Sequence, residues 1–159
     1  MAKRVIRTDE DPILRKKSRI VEKIDNRIKI LVEDMFETMD DADGVGLAAV
    51  QVGILRRVVT IDDGEDHRLY MINPKITTRE GEGIAMEGCL SVPDRQGTVK
   101  RATEIKVVYT DLEGREKHLI AKDFLARIIQ HELDHLDGIL YTDRVIELYE
   151  IEKKDENAV

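Results

Sequence analysis

The stretch Gln130-His131-Glu132-Leu133-Asp134-His135, continued by Leu136-Asp137-Gly138, governs how the rest of the chain is read. It holds two of the four histidines in 159 residues. On a helix, positions i and i+4 share one face, so both imidazoles can reach a single metal ion. Glu132 is turned by about 100° from His131, near the metal without stacking on it. A base must sit there to take a proton from water beside the metal. Phe124, Ile128, His131 and His135 follow i, i+4, i+7, i+11 spacing, which puts the histidines on an apolar face. Two unpaired imidazoles there would carry an uncompensated desolvation cost, and a shared metal removes it. The spacing therefore predicts a metal-binding helix over residues 123–137, closed by Gly138.

Two histidines do not complete a site, because a catalytic centre of this kind takes three protein ligands and leaves one position open. In the pattern H-E-x-x-H-x-x-G-x-x-H, Gly138 fits but the last position is Tyr141. Glu147, Glu150 and Glu152 are available if the ligand comes from a following helix. The better candidate is upstream: Cys89, the only cysteine.

One chain of 159 residues is large enough for one core, so we expect a single domain over 1–159, with 1–10 and 153–159 peripheral. A formal charge of −7 argues against nonspecific nucleic-acid binding. No apolar run approaches the ~20 residues of a membrane span. Met1-Ala2-Lys3-Arg4 lacks the apolar centre of a signal peptide. A lone cysteine forms no internal disulfide, which suits a reducing cytoplasm where a thiolate ligand survives.

Asp25 or Asn26 can cap a helix over about 27–40, with Ile28, Leu31, Val32, Met35, Phe36 and Met39 as its buried stripe. Gly44-Val45-Gly46-Leu47-Ala48-Ala49-Val50-Gln51 has no G-K-[ST] after it and is not read as a phosphate loop. Its small residues suggest backbone that approaches a ligand closely, with Gln51 polar in an apolar run. Residues 58–61 and 69–72 read as strands around Asp63-Gly64; Asn73-Pro74 breaks the pattern, and Lys75 to Arg79 can resume it. Ile105, Val107 and Tyr109 alternate, a further strand follows near 116–120, and 145–151 suggests a short terminal helix. His67 and His118 read as surface or structural residues.

Three motifs now stand in order: Gly44-Val45-Gly46-Leu47-Ala48-Ala49 with Gln51, Glu87-Gly88-Cys89-Leu90-Ser91, and Gln130-His131-Glu132 through His135. In these the chain resembles the bacterial peptide deformylases, from Asp11-Pro12 to about Asp143. The one small departure is Val50, where proline is common. The resemblance implies an α+β fold in which antiparallel sheets wrap a central metal-binding helix, with an N-terminal helix and a short C-terminal one. It implies Cys89, His131 and His135 as ligands of one divalent metal: Fe(II), with zinc, nickel or cobalt able to occupy purified protein. It implies removal of formyl from the N-formylmethionine of nascent polypeptides, with Glu132 carrying the proton and Leu90 N–H and the Gln51 amide meeting the oxyanion. Gly44, Val45, Gly46 and Ile128 would bind substrate, and Glu87–Arg101 would brace the cysteine loop. The expected protein is a cytoplasmic monomer, at most transiently on the ribosome, with no membrane or specific DNA partner. A small zinc endopeptidase with a C-terminal glutamate ligand, or a noncatalytic metal-stabilised module, are the alternatives.

Overall fold

The computed structural model describes residues 2–151. Helix α1 spans Asn26–Asp41, and the side chain of Asp25 accepts from the Arg27 and Ile28 N–H groups at its start. Strands β1 (Gly46–Ala48), β2 (Val58–Asp62) and β3 (Arg68–Glu80) follow. Next come β4 (Gly83–Cys89), β5 (Val92–Arg101), β6 (Glu104–Thr110) and β7 (Glu116–Lys122). Helix α2 then covers Asp123–Leu136, and β8 covers Glu147–Glu150. All pairings between these strands are antiparallel, in a five-stranded sheet ordered β1-β2-β3-β6-β7 and a three-stranded sheet ordered β4-β5-β8.

Strand alternation places the large sheet between the two helices. On β2 and β3, Val58 and Ile72 face the α1 residues Leu31, Met35 and Met39. Val59, Ile61 and Met71 face the other way, onto Ala126, Ile129, Leu133 and Leu136 of α2. Helix α2 is thus the buried axis of the molecule, as expected, and Gly138 follows it at φ 75°.

One expectation changes. The segment expected as a C-terminal helix is β8, which pairs with β5 from Arg95↔Glu150 to Thr98↔Glu147. Its apolar residues carried no clear period, and the free edge of β5 decides the matter by taking up its backbone hydrogen bonds. The expected terminal tail, 153–159, lies outside the described residues. The break at Asn73-Pro74 is a bulge between Ile72 and Lys75, with Asn73 at φ 51°, and β3 resumes over residues 75–79 as the sequence suggested. The Asn73 side chain accepts from Val21 N–H and donates to Val21 O, which holds the bulge in place. Residues 2–10, none of them buried, rest on α1 at their start: Ala2 N–H and the Arg4 guanidinium donate to Asp34. Arg7 N–H donates to Gln51 O at 2.7 Å, so this arm reaches the segment that carries Gln51.

Candidate metal centre

Two structural units converge at one point. Strand β4 ends on Cys89, and a two-residue turn, Leu90-Ser91, leads into β5. From α2, His131 and His135 project toward that end. Sγ of Cys89 and one nitrogen of each histidine lie within 4.8 Å of one another. The Sγ to His135 Nε2 distance is 3.3 Å. Ligands of one tetrahedral ion with metal–ligand bonds of about 2.0–2.3 Å stand roughly 3.3–3.7 Å apart, so the Cys89–His135 pair is already at ligand separation.

The electrostatics fit a cation. His135 is fully buried, and burial holds it well below its usual pKa, in the neutral form that ligates metals. His131 is also buried, which alone would lower its proton affinity. The Cys89 sulfur and the Glu87 carboxylate outweigh this and raise it well above the usual range. An environment that holds a proton so strongly also favours a metal ion. Nδ1 of His131 faces Glu87 Oε1 at 2.8 Å, so Nδ1–H donates to the carboxylate and Nε2 is left for the ion.

Glu87 is fixed in turn. Arg101 donates to both of its oxygens at 2.9 Å, and Arg127 Nη1 donates to Oε2 at 2.6 Å. Burial would raise the Glu87 pKa, but Arg101 and His131 overcome it and hold the carboxylate far below its ordinary range. Arg101 also donates to Asp134 Oδ2, which accepts from Arg144 as well.

A cavity of about 500 Å³ opens beside the donors. Its lining brings together Gly44, Val45, Gly46, Gln51, Cys89, Leu90, Ile128, His131 and Glu132. His135 lies behind this wall. Phe124, expected on the buried face of α2, is instead 52% exposed and lines the cavity. Glu132 is buried, with Oε1 unpartnered. Burial pushes its carboxyl up to about 7, against the pull of His131. Gln51 sits in a 3-10 turn, Ala49–Val52. Its Oε1 accepts from Ala48 N–H, and its Nε2 donates to Ser91 Oγ at 3.0 Å and faces Cys89 Sγ at 3.7 Å.

Other candidates stand elsewhere. Tyr141, at the third-histidine position of the longer motif, stacks its ring on His131 at 5.9 Å. Glu147 and Glu150 are exposed on β8, and Glu152 lies outside the described residues. His67 and His118 face Asp63 and Glu116 at the surface. Sequence reasoning missed Ser91 and Arg127. Ser91 stands in the Cys89 motif, and nothing around it in the sequence gives it a role. Arg127 had one available signal, its position one helical turn before His131.

Comparison with known proteins agrees with this geometry. The family model described as polypeptide deformylase matches residues 3–150. A peptide deformylase of Finegoldia magna is 56% identical over 154 residues, covering 96% of this chain and 95% of that one. One from Alkaliphilus metalliredigens is 52% identical, covering 92% and 99%. The crystal structure of peptide deformylase from Thermotoga maritima superposes with a TM-score of 0.88 at 40% identity, covering 91% of this chain and 99% of that one. A peptide deformylase from Synechococcus elongatus, solved in complex with actinonin, gives 0.85 at 41% identity, covering 89% and 78%. With its donor set, its buried glutamate and its fold all in agreement, the chain belongs to the polypeptide deformylase family.

Proposed function

We propose that the protein hydrolyses the formyl amide of N-formylmethionine at the start of newly made polypeptides, giving formate and a free amine. The observation that carries this reading is Glu132: a buried carboxylate with an unpartnered oxygen, in a cavity whose wall also holds the Cys89 and His131 donors.

Cys89, His131 and His135 would hold the metal, which when bound supplies the Lewis acidity that makes water nucleophilic near neutral pH. Glu132 takes the proton from the attacking water and passes it to the departing nitrogen, which would otherwise leave poorly. Leu90 N–H and the Gln51 amide donate to the formyl oxygen as it gains charge. Ser91 and Ala48 hold Gln51 in place for this. Gly44 to Gly46 present backbone to an extended peptide, and Val45 and Ile128 wall the space beside the reacting carbon. We assign Fe(II) as the resident ion on the resemblance, although two imidazoles and one thiolate also suit zinc; availability decides between them.

The substrate partners are nascent chains, met in the cytoplasm by a monomer that visits the ribosome transiently. No helix of the described residues is long and apolar enough to cross a membrane. The test is formate release from a formyl-Met peptide, with metal content measured on the same sample. An acetyl-Met peptide should react far more slowly, because the acyl slot accepts hydrogen and not methyl. No formate from metal-replete protein would refute the activity. A ligand set using Glu147 or Glu150, as an endopeptidase would need, finds no support in their exposure on β8.

A further inference from the structure

Arg127 lies one helical turn before His131 on α2, and both side chains reach the same carboxylate. Arg127 Nη1 donates to Glu87 Oε2 at 2.6 Å, while His131 Nδ1 meets Glu87 Oε1 at 2.8 Å. The guanidinium does not stop there. Nη1 also donates to Val99 O and Nη2 to Gly83 O, each at 2.9 Å. Gly83 opens β4 and Val99 lies on β5, so one side chain of α2 holds both strands of the β4–β5 hairpin. The Arg127 side chain is only 11% exposed. It also lines the cavity, with its fork spent on these acceptors.

We infer that Arg127 is a positioning residue for the metal centre: by clamping Glu87 and the β4–β5 hairpin onto α2, it sets the separation of Cys89 from the two histidines. Cys89 follows Glu87 by two residues on β4, so whatever fixes Glu87 against α2 fixes the sulfur as well. Arg101 cannot substitute. It belongs to β5 itself, within the hairpin, and reaches α2 at Asp134, whereas Arg127 belongs to α2 and reaches both strands. A lysine at 127 could reach Glu87 but could not span both carbonyls, because an ammonium is a point donor and a guanidinium is a fork. The inference rests on Cys89, His131 and His135 being the ligands.

The test is cobalt binding by the purified full chain, stripped of metal and kept reduced. The Arg127→Met variant keeps the apolar stem and removes the fork. Its Co(II) dissociation constant should rise by about 10–100-fold, the scale for losing a hydrogen-bonding support of a ligand. The cobalt–thiolate absorption should shift with it. Arg127→Lys should fall between the two, with the metal-free melting temperature close to that of the parent. If Arg127→Met does not fold, Arg127→Lys carries the same requirement. Unchanged cobalt affinity and spectrum in the folded variant would overturn the proposal. So would a rise confined to KM for the formyl peptide, which would make Arg127 a wall of the substrate cavity. Failure of the parent chain itself to bind cobalt would instead strike at the ligand assignment.

Discussion

Gly46 and the carboxylate of Glu132 occupy adjoining space: a β-carbon on Gly46 would come within 2.9 Å of both Cγ and Cδ of Glu132. Real side chains do not approach so closely, and Glu132 is buried, with little freedom to withdraw. The glycine leaves room for the acid. We expect Gly46→Ala to displace that carboxylate and lower kcat by at least about 10-fold, the lower part of the range for general acid–base catalysis. Metal content should be unchanged. Steady-state kinetics with metal analysis would check this, and full activity would show that Glu132 can work from elsewhere.

Glu132→Gln keeps the shape and removes the proton carrier. Turnover should drop by about 10² or more while metal and substrate affinity stay near normal. Loss of the metal along with activity would make Glu132 a ligand.

Gln51→Ala tests the amide held between Ala48 and Ser91. If that amide meets charge that develops only during reaction, kcat should fall by more than KM rises. A change confined to KM would recast Gln51 as a substrate-positioning group.

Asp34 predicts a pH dependence remote from the metal. Burial pushes its pKa up, but Ala2 N–H and Arg4 outweigh this and hold it below 3.8. A carboxylate with a lowered folded pKa stabilises the protein above its unfolded pKa, and that contribution is lost as pH falls through the folded value. Asp34→Asn should therefore destabilise the chain near neutrality and have a shrinking effect below about pH 4. Denaturant melts at both pH values would measure it. A constant difference would exclude the charge as the cause.

Protein loaded with Fe(II) should lose activity in air, and nickel-loaded protein should keep it. Cys89 is the nearest oxidisable group and can gain oxygen toward the sulfenic or sulfinic level. Peptide mass spectrometry would place the added oxygen. Equal survival of the two forms, or an unmodified Cys89 in inactive protein, would refute this route.

What was legible in the sequence was local. His131 and His135 share a helix face by arithmetic, and the stripe of Ile28, Leu31, Val32, Met35 and Met39 set α1 in the same way. Strands with clean alternation, around Val59 and Val107, were equally readable. Apart from the family resemblance of its motif, Cys89 stands out only as a lone thiol, because its approach to the histidines depends on how β4 packs against α2. The strand at 147–150 is hidden in the sequence for a related reason: the hydrogen-bonding edge that recruits it lies about fifty residues upstream, on β5. Arg127 shows the same limit. Its acceptors Gly83 O and Val99 O are backbone atoms, and no residue pattern announces a carbonyl.

The donors come from separate parts of the molecule, Cys89 from a small sheet and the histidines from the central helix, 46 residues apart between Cys89 and His135. An ion held by all three is therefore a rivet between layers. Such a rivet binds the assembled protein and not the open chain, so mass action makes it a stabiliser whose strength depends on metal supply. At a free ion concentration a thousandfold above the dissociation constant, the gain is about 4 kcal/mol, comparable to a large share of a small domain's stability. A cell short of the ion would lose active enzyme twice, once through empty centres and again through faster turnover of the loosened protein.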